Sequence, residues 1–229
     1  MRETLITAHS GCDNTTDNSL AFLIYALTLD VDNVEVDVRL DKKENLIMSH
    51  NVQNEADSLQ DAFELLQRYP NKKINCDLKT PKLEQAVCEL ANEMGVVSQL
   101  QYSGEVSHAW IDENPDKIEW LLNAELLFPE IYSDLHLFDD LNFAKTAAEK
   151  TAAIVHKNKA SCINISYKIY ESIYCRFLIE KNVPLSVWTP STDDEVIYFL
   201  SEPVYNITTR NAAFACKKRN ELFADREYH

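Results

Sequence analysis

The segment NVEVDVRL, Asn33–Leu40, decides how the chain is read. Val34, Val36 and Val38 alternate with Glu35, Asp37 and Arg39, so an extended chain here is apolar on one face and charged on the other. On an antiparallel sheet with one solvated face, the charged side is simply wet. In a closed barrel wrapped by helices, the valines meet the helices and the acids point inward, where two carboxylates need a compensating charge. The segments around it choose between the two.

Outward from Asn33–Leu40, β-like runs alternate with helix-like ones. LITAHS (5–10) precedes TDNSLAFLIYALTL (16–29), with Thr16 or Asp17 placed to cap a helix. NVEVDVRL leads through the polar turn DKKEN to the extended LIMSHN and then to DSLQDAFELLQRY (57–69). KINCDLK (73–79) precedes KLEQAVCELANEM, and SQLQYSG (98–104) precedes a helix expected over ENPDKIEWLLN (113–123). A strand expected over ELLFPEIY (125–132) precedes LNFAKTAAEKTAAIVHKN, and ASCINISY precedes YESIYCRFLIEKN. PLSVWTP (184–190) precedes TDDEVIYFLSE, and VYNITTRN (204–211) precedes AAFACKKRNELF. Eight β-then-α units predict an α/β fold, a single (β/α)8 TIM barrel, with residues 1–229 as one domain. A doubly wound open sheet has the same alternation and is the other candidate.

Composition narrows the function. Of 229 residues, 22 are Lys or Arg and 37 are Asp or Glu, a net charge of −15 that argues against nucleic acid or an anionic membrane as partner. No apolar run is long enough to span a bilayer, and the first residues carry no signal pattern. Six scattered cysteines with no CxxC spacing suit reduced thiols and a cytoplasmic protein. With three glycines in all, there is no GxGxxG and no Walker loop. Trp110, Trp120, Phe138 and Phe143 read as core by their helical spacing, with a lipid-facing rim as the alternative.

In the barrel reading, Glu35, Asp37 and Asp77 converge at the C-terminal mouth, where such folds build their sites. Three carboxylates together repel, and burial worsens it. A hard divalent cation, Mg²⁺ or Ca²⁺, resolves the conflict through oxygen ligands; zinc fits less well without thiolate or clustered imidazole. The alternative is a structural salt-bridge network with Lys79 and Arg39. His9 and His50 lie at the ends of extended segments beside these acids, one suited to remove a proton and the other to return one. Of the remaining histidines only His108 falls near a strand end.

The ordered set AHSG, DNSLAFLIYAL, VEVDVRLDKKENLIMSHN, INCDLK, SVWTP and ITTRNA resembles the glycerophosphodiester phosphodiesterase family, a branch of the phosphatidylinositol-phospholipase-C-like TIM barrels. The resemblance covers nearly the whole chain and is strongest over residues 1–80. It implies His9 and His50 as acid/base catalysts and Glu35, Asp37 and Asp77 as metal ligands. It implies Lys79 facing the phosphate and Trp188 lining the site, on a small-molecule phosphodiester substrate. The chain departs from the family's pattern at Ser10, which stands where an arginine grips the phosphate, and at Asn51, which stands for an aspartate after the second histidine. Both are expected at the substrate-binding site, with Arg39 and Arg210 as cations able to replace the arginine. Arg210 itself occupies an aspartate position, and the short span from His50 to Ile74 leaves no room for the family's capping insertion. Two functions follow: a metal-dependent phosphodiesterase using His acid/base catalysis, or a catalytically impaired barrel that binds a phosphorylated ligand or a protein. A relative that forms cyclic phosphates is a third.

Overall fold

A computed structural model describes residues 4–52, 56–114 and 118–224. Strand β1 (Leu5–Ala8) pairs in parallel with β2 (Asn33–Leu40) on one side and with β9 (Asn206–Thr209) on the other, which closes the sheet. Between them run β4 (Lys73–Leu78), β5 (Leu100–Gly104), β6 (Glu119–Asn123), β7 (Cys162–Ser166) and β8 (Leu185–Trp188), each parallel to its neighbour. These are eight parallel strands in a closed barrel, as the alternation predicts. The short β3 (Leu46–Met48) folds back antiparallel onto the end of β2. Outside the barrel lie α1 (Leu20–Ala26), α2 (Leu59–Leu66), α3 (Glu84–Glu93), α4 (His108–Glu113) and α5 (Ala124–Leu127). The later helices are α6 (Leu141–Lys157), α7 (Ile173–Glu180), α8 (Asp193–Ser201) and α9 (Ala212–Ala224).

The period-two pattern of Asn33–Leu40 is realised as a two-sided burial. Val34, Val36 and Val38 are wholly buried against the helical layer, while Glu35 and Asp37 are buried on the inner face. The lumen is lined largely by small polar side chains instead of the branched apolar residues that usually fill such barrels. Thr7 donates to Asn206 Oδ1 at 2.8 Å, Asn33 to Thr7 at 3.1 Å, and Asn206 to Ser186 at 2.9 Å. Asn75 donates to Ser103 at 3.0 Å and Asn164 to Asn123 at 3.0 Å. At the lower end Glu119 receives both Lys73 and Gln101. Each pair crosses between neighbouring strands or near neighbours and ties them together inside the barrel, while the buried Asn75 Oδ1, Gln101 Oε1 and Asn164 Oδ1 have no hydrogen-bond partner.

Three expectations are corrected. The helix over ENPDKIEWLLN is absent: helix α4 lies earlier, at His108–Glu113, and Glu119–Asn123 is strand β6. Residues 115–117 lie outside the described residues. Trp120 and Leu122 face the helices and Glu119 and Asn123 the lumen, but Leu121 fills an inner position and hides the alternation. The strand over ELLFPEIY is instead helix α5 followed by a 3₁₀ turn at Pro129–Tyr132. Its aromatic character serves a helix-side cluster in which Phe128 packs edge-on against Phe138, Phe143 and Tyr174. Finally, α1 is capped by Ser19, whose hydroxyl accepts from Phe22 N at 3.1 Å, and not by Thr16 or Asp17.

Trp120 and Phe138 are fully buried, and Trp110 and Phe143 pack against the core, so these four aromatics form core and no lipid-facing rim. His108 stacks edge-on against Trp120 at 5.0 Å, away from the mouth.

Candidate active site

At the C-terminal ends of the strands lies a cavity of about 490 Å³. It is lined by His9, Glu35, Asp37, His50, Asn51, Asp77, Lys79 and Trp188, which the sequence singled out, together with Arg210. Ser10, expected at the phosphate, is instead buried beneath the mouth. Its backbone N–H donates to Glu35 Oε2 at 3.2 Å, and its hydroxyl accepts from the Asn18 backbone at 2.7 Å. Arg39 also stays out, donating through Nε to the His50 carbonyl at 2.7 Å.

Strand register brings the acids together. Asp37 pairs with Asp77 across β2 and β4, and Glu35 sits one pleat below on the same face. One oxygen from each of Glu35, Asp37 and Asp77 lies within 4.8 Å of the others. Asn18 clamps Asp37 twice, donating Nδ2 to Oδ2 at 2.7 Å and accepting the Asp37 backbone N–H at 2.8 Å. Lys79 Nζ bridges Asp37 and Asp77 at 2.7 Å each, so the salt-bridge network is present. It supplies one positive charge to three carboxylates.

The titration behaviour follows from that shortage. Burial, with Asp37 and Asp77 nearby, pushes Glu35 well above the usual carboxylate range. Burial opposes ionisation of Asp37 too, but the Lys79 ammonium and the Asn18 bond outweigh it and hold Asp37 low. Asp77 is raised, mainly by burial, against the pull of Lys79. Lys79 is raised because the two acids outweigh its own burial. Glu35 is therefore the least compensated of the three carboxylates, with only the Ser10 N–H and the more distant Lys79 to offset its burial. The donor set is oxygen only, and the buried Asp77 Oδ1 has no hydrogen-bond partner. These residues fit a hard divalent cation.

His9 follows β1, and its Nδ1 lies 2.8 Å from the Ser10 carbonyl oxygen and 3.9 Å from Glu35 Oε2. A carbonyl only accepts, so Nδ1 carries the proton and Nε2 keeps its lone pair. Burial lowers the His9 pKa, which favours this neutral form. His50 follows β3 and is exposed, with Nδ1 3.3 Å from Asp37 Oδ2. Asn51 stands beside it at the rim. Between β3 and α2 the described residues hold no capping element, as the short His50-to-Ile74 span implies.

Sequence reasoning missed Asp17, Asn123, Glu125 and Asn164, which also line the cavity. Asn164 was visible as the polar position of CINIS, whereas Asn123 and Glu125 were hidden by the misplaced helix and strand.

No family model matches the sequence, and no curated protein matches it. Solved structures do. A protein of Agrobacterium tumefaciens assigned as a glycerophosphoryl diester phosphodiesterase superposes with a TM-score of 0.77 at 11% identity, covering 97% of this chain and 100% of that one. The glycerophosphodiester phosphodiesterase of Thermotoga maritima gives 0.66 at 18% identity, covering 99% of each chain. A phosphodiesterase of Oleispira antarctica, solved with its product sn-glycerol-3-phosphate, gives 0.60 at 14%, covering 96% of this chain and 97% of that one. The chain thus has the fold of the glycerophosphodiester phosphodiesterases over nearly its full length. At these identities the likeness is one of fold. No helix among the described residues is long and apolar enough to cross a membrane.

Proposed function

We propose that the protein is a divalent-cation-dependent phosphodiesterase acting on a glycerophosphodiester or a related small phosphodiester, with residues 1–229 as one barrel domain. The observation that carries this reading is the oxygen triad of Glu35, Asp37 and Asp77, three carboxylates sharing one lysine charge, between two histidines at a barrel mouth. The neighbouring structure that holds sn-glycerol-3-phosphate supports a substrate of this size and chemistry.

Glu35, Asp37 and Asp77 hold the cation, Mg²⁺ or Ca²⁺. When bound, it supplies positive charge at the phosphoryl oxygens and acidifies an attacking hydroxyl. Lys79 is the side chain that meets the phosphodiester charge. His9 Nε2 accepts the proton of the attacking oxygen as the new O–P bond forms. His50, beside the Asp37 carboxylate, donates a proton to the alcohol oxygen as its P–O bond breaks. Trp188 and Asn51 line the alcohol side. If a neighbouring substrate hydroxyl attacks in place of water, the first product is a cyclic phosphate. Six buried cysteines with no disulfide among them suit a reducing compartment such as the cytoplasm.

One observation favours the impaired-binder reading: Ser10 lies under the mouth and leaves the phosphate without the expected arginine beside His9. A panel of glycerophosphodiesters and an aryl phosphodiester, incubated with Mg²⁺, Ca²⁺, Mn²⁺ or chelator, separates the two. Cation-dependent turnover abolished by His9→Ala is expected. Folded protein with phosphate binding but no turnover on any substrate establishes the binder instead.

A further inference from the structure

We propose that Arg210 is the arginine that grips the phosphate in this site, delivered by the last strand and positioned by Asp17. This rests on the phosphodiester reading above and names the residue that replaces the contact Ser10 cannot make.

Arg210 follows β9 directly and lines the cavity together with His9, Lys79 and Trp188. Its backbone is fixed, since its carbonyl accepts the Asp13 N–H at 2.7 Å. Its guanidinium is fixed too: Nη1 donates to Asp17 Oδ1 at 2.8 Å and Nη2 to Asp17 Oδ2 at 3.1 Å. Two of its five N–H groups are used in this way, and the others are left for an oxyanion. Arg39, the other candidate cation, is turned to the His50 carbonyl and does not reach the cavity.

Gly11 supplies the space for this arrangement. It has φ +75°, and a Cβ there would lie 1.7 Å from Asp17 Oδ1 and 2.9 Å from Arg210 Nη1. The ion pair therefore lies directly over a residue that has no side chain, in the loop immediately after His9. The same pair stands where three concavities of the mouth meet. Asp17 lines both the main cavity and the groove beside His50 and Asp57, and Arg210 lines both the main cavity and the one beside Ser191 and Asn211. A phosphate seated between Lys79 and Arg210 has room for substituents toward either groove. The pair is partly exposed, 41% for Arg210 and 58% for Asp17, so it is weak enough for the guanidinium to share its donors with a dianionic or diester oxygen. Planar bidentate geometry suits such oxygens better than an ammonium does.

The test is calorimetric binding of inorganic phosphate and sn-glycerol-3-phosphate to the full chain with divalent cation present. Wild type is compared with Arg210→Ala, Arg210→Lys and Asp17→Asn, and with Lys217→Ala, which removes one exposed positive charge on α9 that lines none of the three concavities. Thermal melts verify that each variant is folded, and kinetics follow whichever diester the wild type turns over. Arg210→Ala is expected to weaken both ligands by 10-fold or more and to raise KM, with cation affinity retained. Arg210→Lys is expected to restore part of the loss. Asp17→Asn is expected to shift KM by a smaller factor with kcat nearly kept, and Lys217→Ala to bind as wild type. Equal affinity in wild type and Arg210→Ala overturns the assignment, and does so even if cation-dependent turnover persists and upholds the phosphodiesterase reading. Arg210-dependent phosphate binding without turnover upholds the assignment and overturns the enzyme reading. Wild type that binds neither phosphate ligand overturns the assignment as well.

Discussion

At the scale of single residues, two glycines shape the site as much as the acids do. Gly104, at the end of β5, has φ +77°, and a Cβ there would fall 2.1 Å from Asp77 Oδ1 and 2.4 Å from the Leu78 carbonyl oxygen. Gly104→Ala is expected to destabilise the fold by about 1–3 kcal/mol through the left-handed backbone alone. It is also expected to displace Asp77 and weaken cation binding, and urea unfolding with a cation titration measures both effects. Glu35 gives a test with the opposite sign. Its folded-state pKa is raised, so between the unfolded and folded values the native state holds more protons, and stability falls as pH rises through that window. At neutral pH with chelator, Glu35→Gln is therefore expected to melt higher than wild type. A gain of about 1 kcal/mol appears as roughly 2–4 °C in a chain of this length. Cation is expected to stabilise wild type more than the variant, which narrows or inverts their order. His9, Glu35, Asp37, His50, Asp77, Lys79 and Trp188 were legible in the sequence because each sits at a strand position or strand end with a definite face. Ser10 was not: the position aligns with a phosphate contact, but its hydroxyl is used inward by the Asn18 backbone. Asp17 was misread for a related reason, since its carboxylate looks like a cap in sequence but reaches 193 residues along the chain to Arg210.

At the scale of elements, the barrel is held by inward-facing amides and hydroxyls that cross from strand to strand. Asn206 is the clearest case, accepting from Thr7 on β1 and donating to Ser186 on β8 across the strand that closes the barrel. Asn206→Ala removes these two bonds and a third, from Nδ2 to Thr208 Oγ1 at 3.2 Å, and leaves three hydroxyls buried, for an expected loss of about 2–4 kcal/mol. The urea midpoint should fall with an unchanged slope. A stability equal to wild type would mean that water replaces the side chain at no cost. Seven of the eight barrel strands were legible because polar and apolar residues alternate in them. Strand β6 was lost because Leu121 occupies an inner position, which turns EWLLN into a run that fits a helix equally well. The aromatic ELLFPEIY then attracted the strand assignment, although Pro129 begins a turn there and Phe128 belongs to a helix-side cluster.

At the scale of the whole molecule, charge and topology act together. A chain with a net charge of −15 gathers three of its carboxylates in one buried spot, with a single lysine between them. That spot lies at the C-terminal mouth because parallel strands end there, and Asp37 and Asp77 come level through the register of β2 and β4. Eight-fold alternation made the barrel legible from sequence. The pairing of Asp17 with Arg210 was not, because only closure of β9 onto β1 brings the two ends of the chain together.

The proposed phosphodiester chemistry depends on Glu35, Asp37 and Asp77 forming one divalent-cation site. Calorimetric titration of Mg²⁺ and Ca²⁺ into chelator-treated wild type and Glu35→Gln tests it most directly. The expected result is one cation per wild-type chain for at least one of the two ions, and at least a 10-fold loss of affinity in Glu35→Gln. Identical titrations of the two proteins, or no saturable binding to wild type, would contradict it and leave Lys79 as the only cation these acids hold.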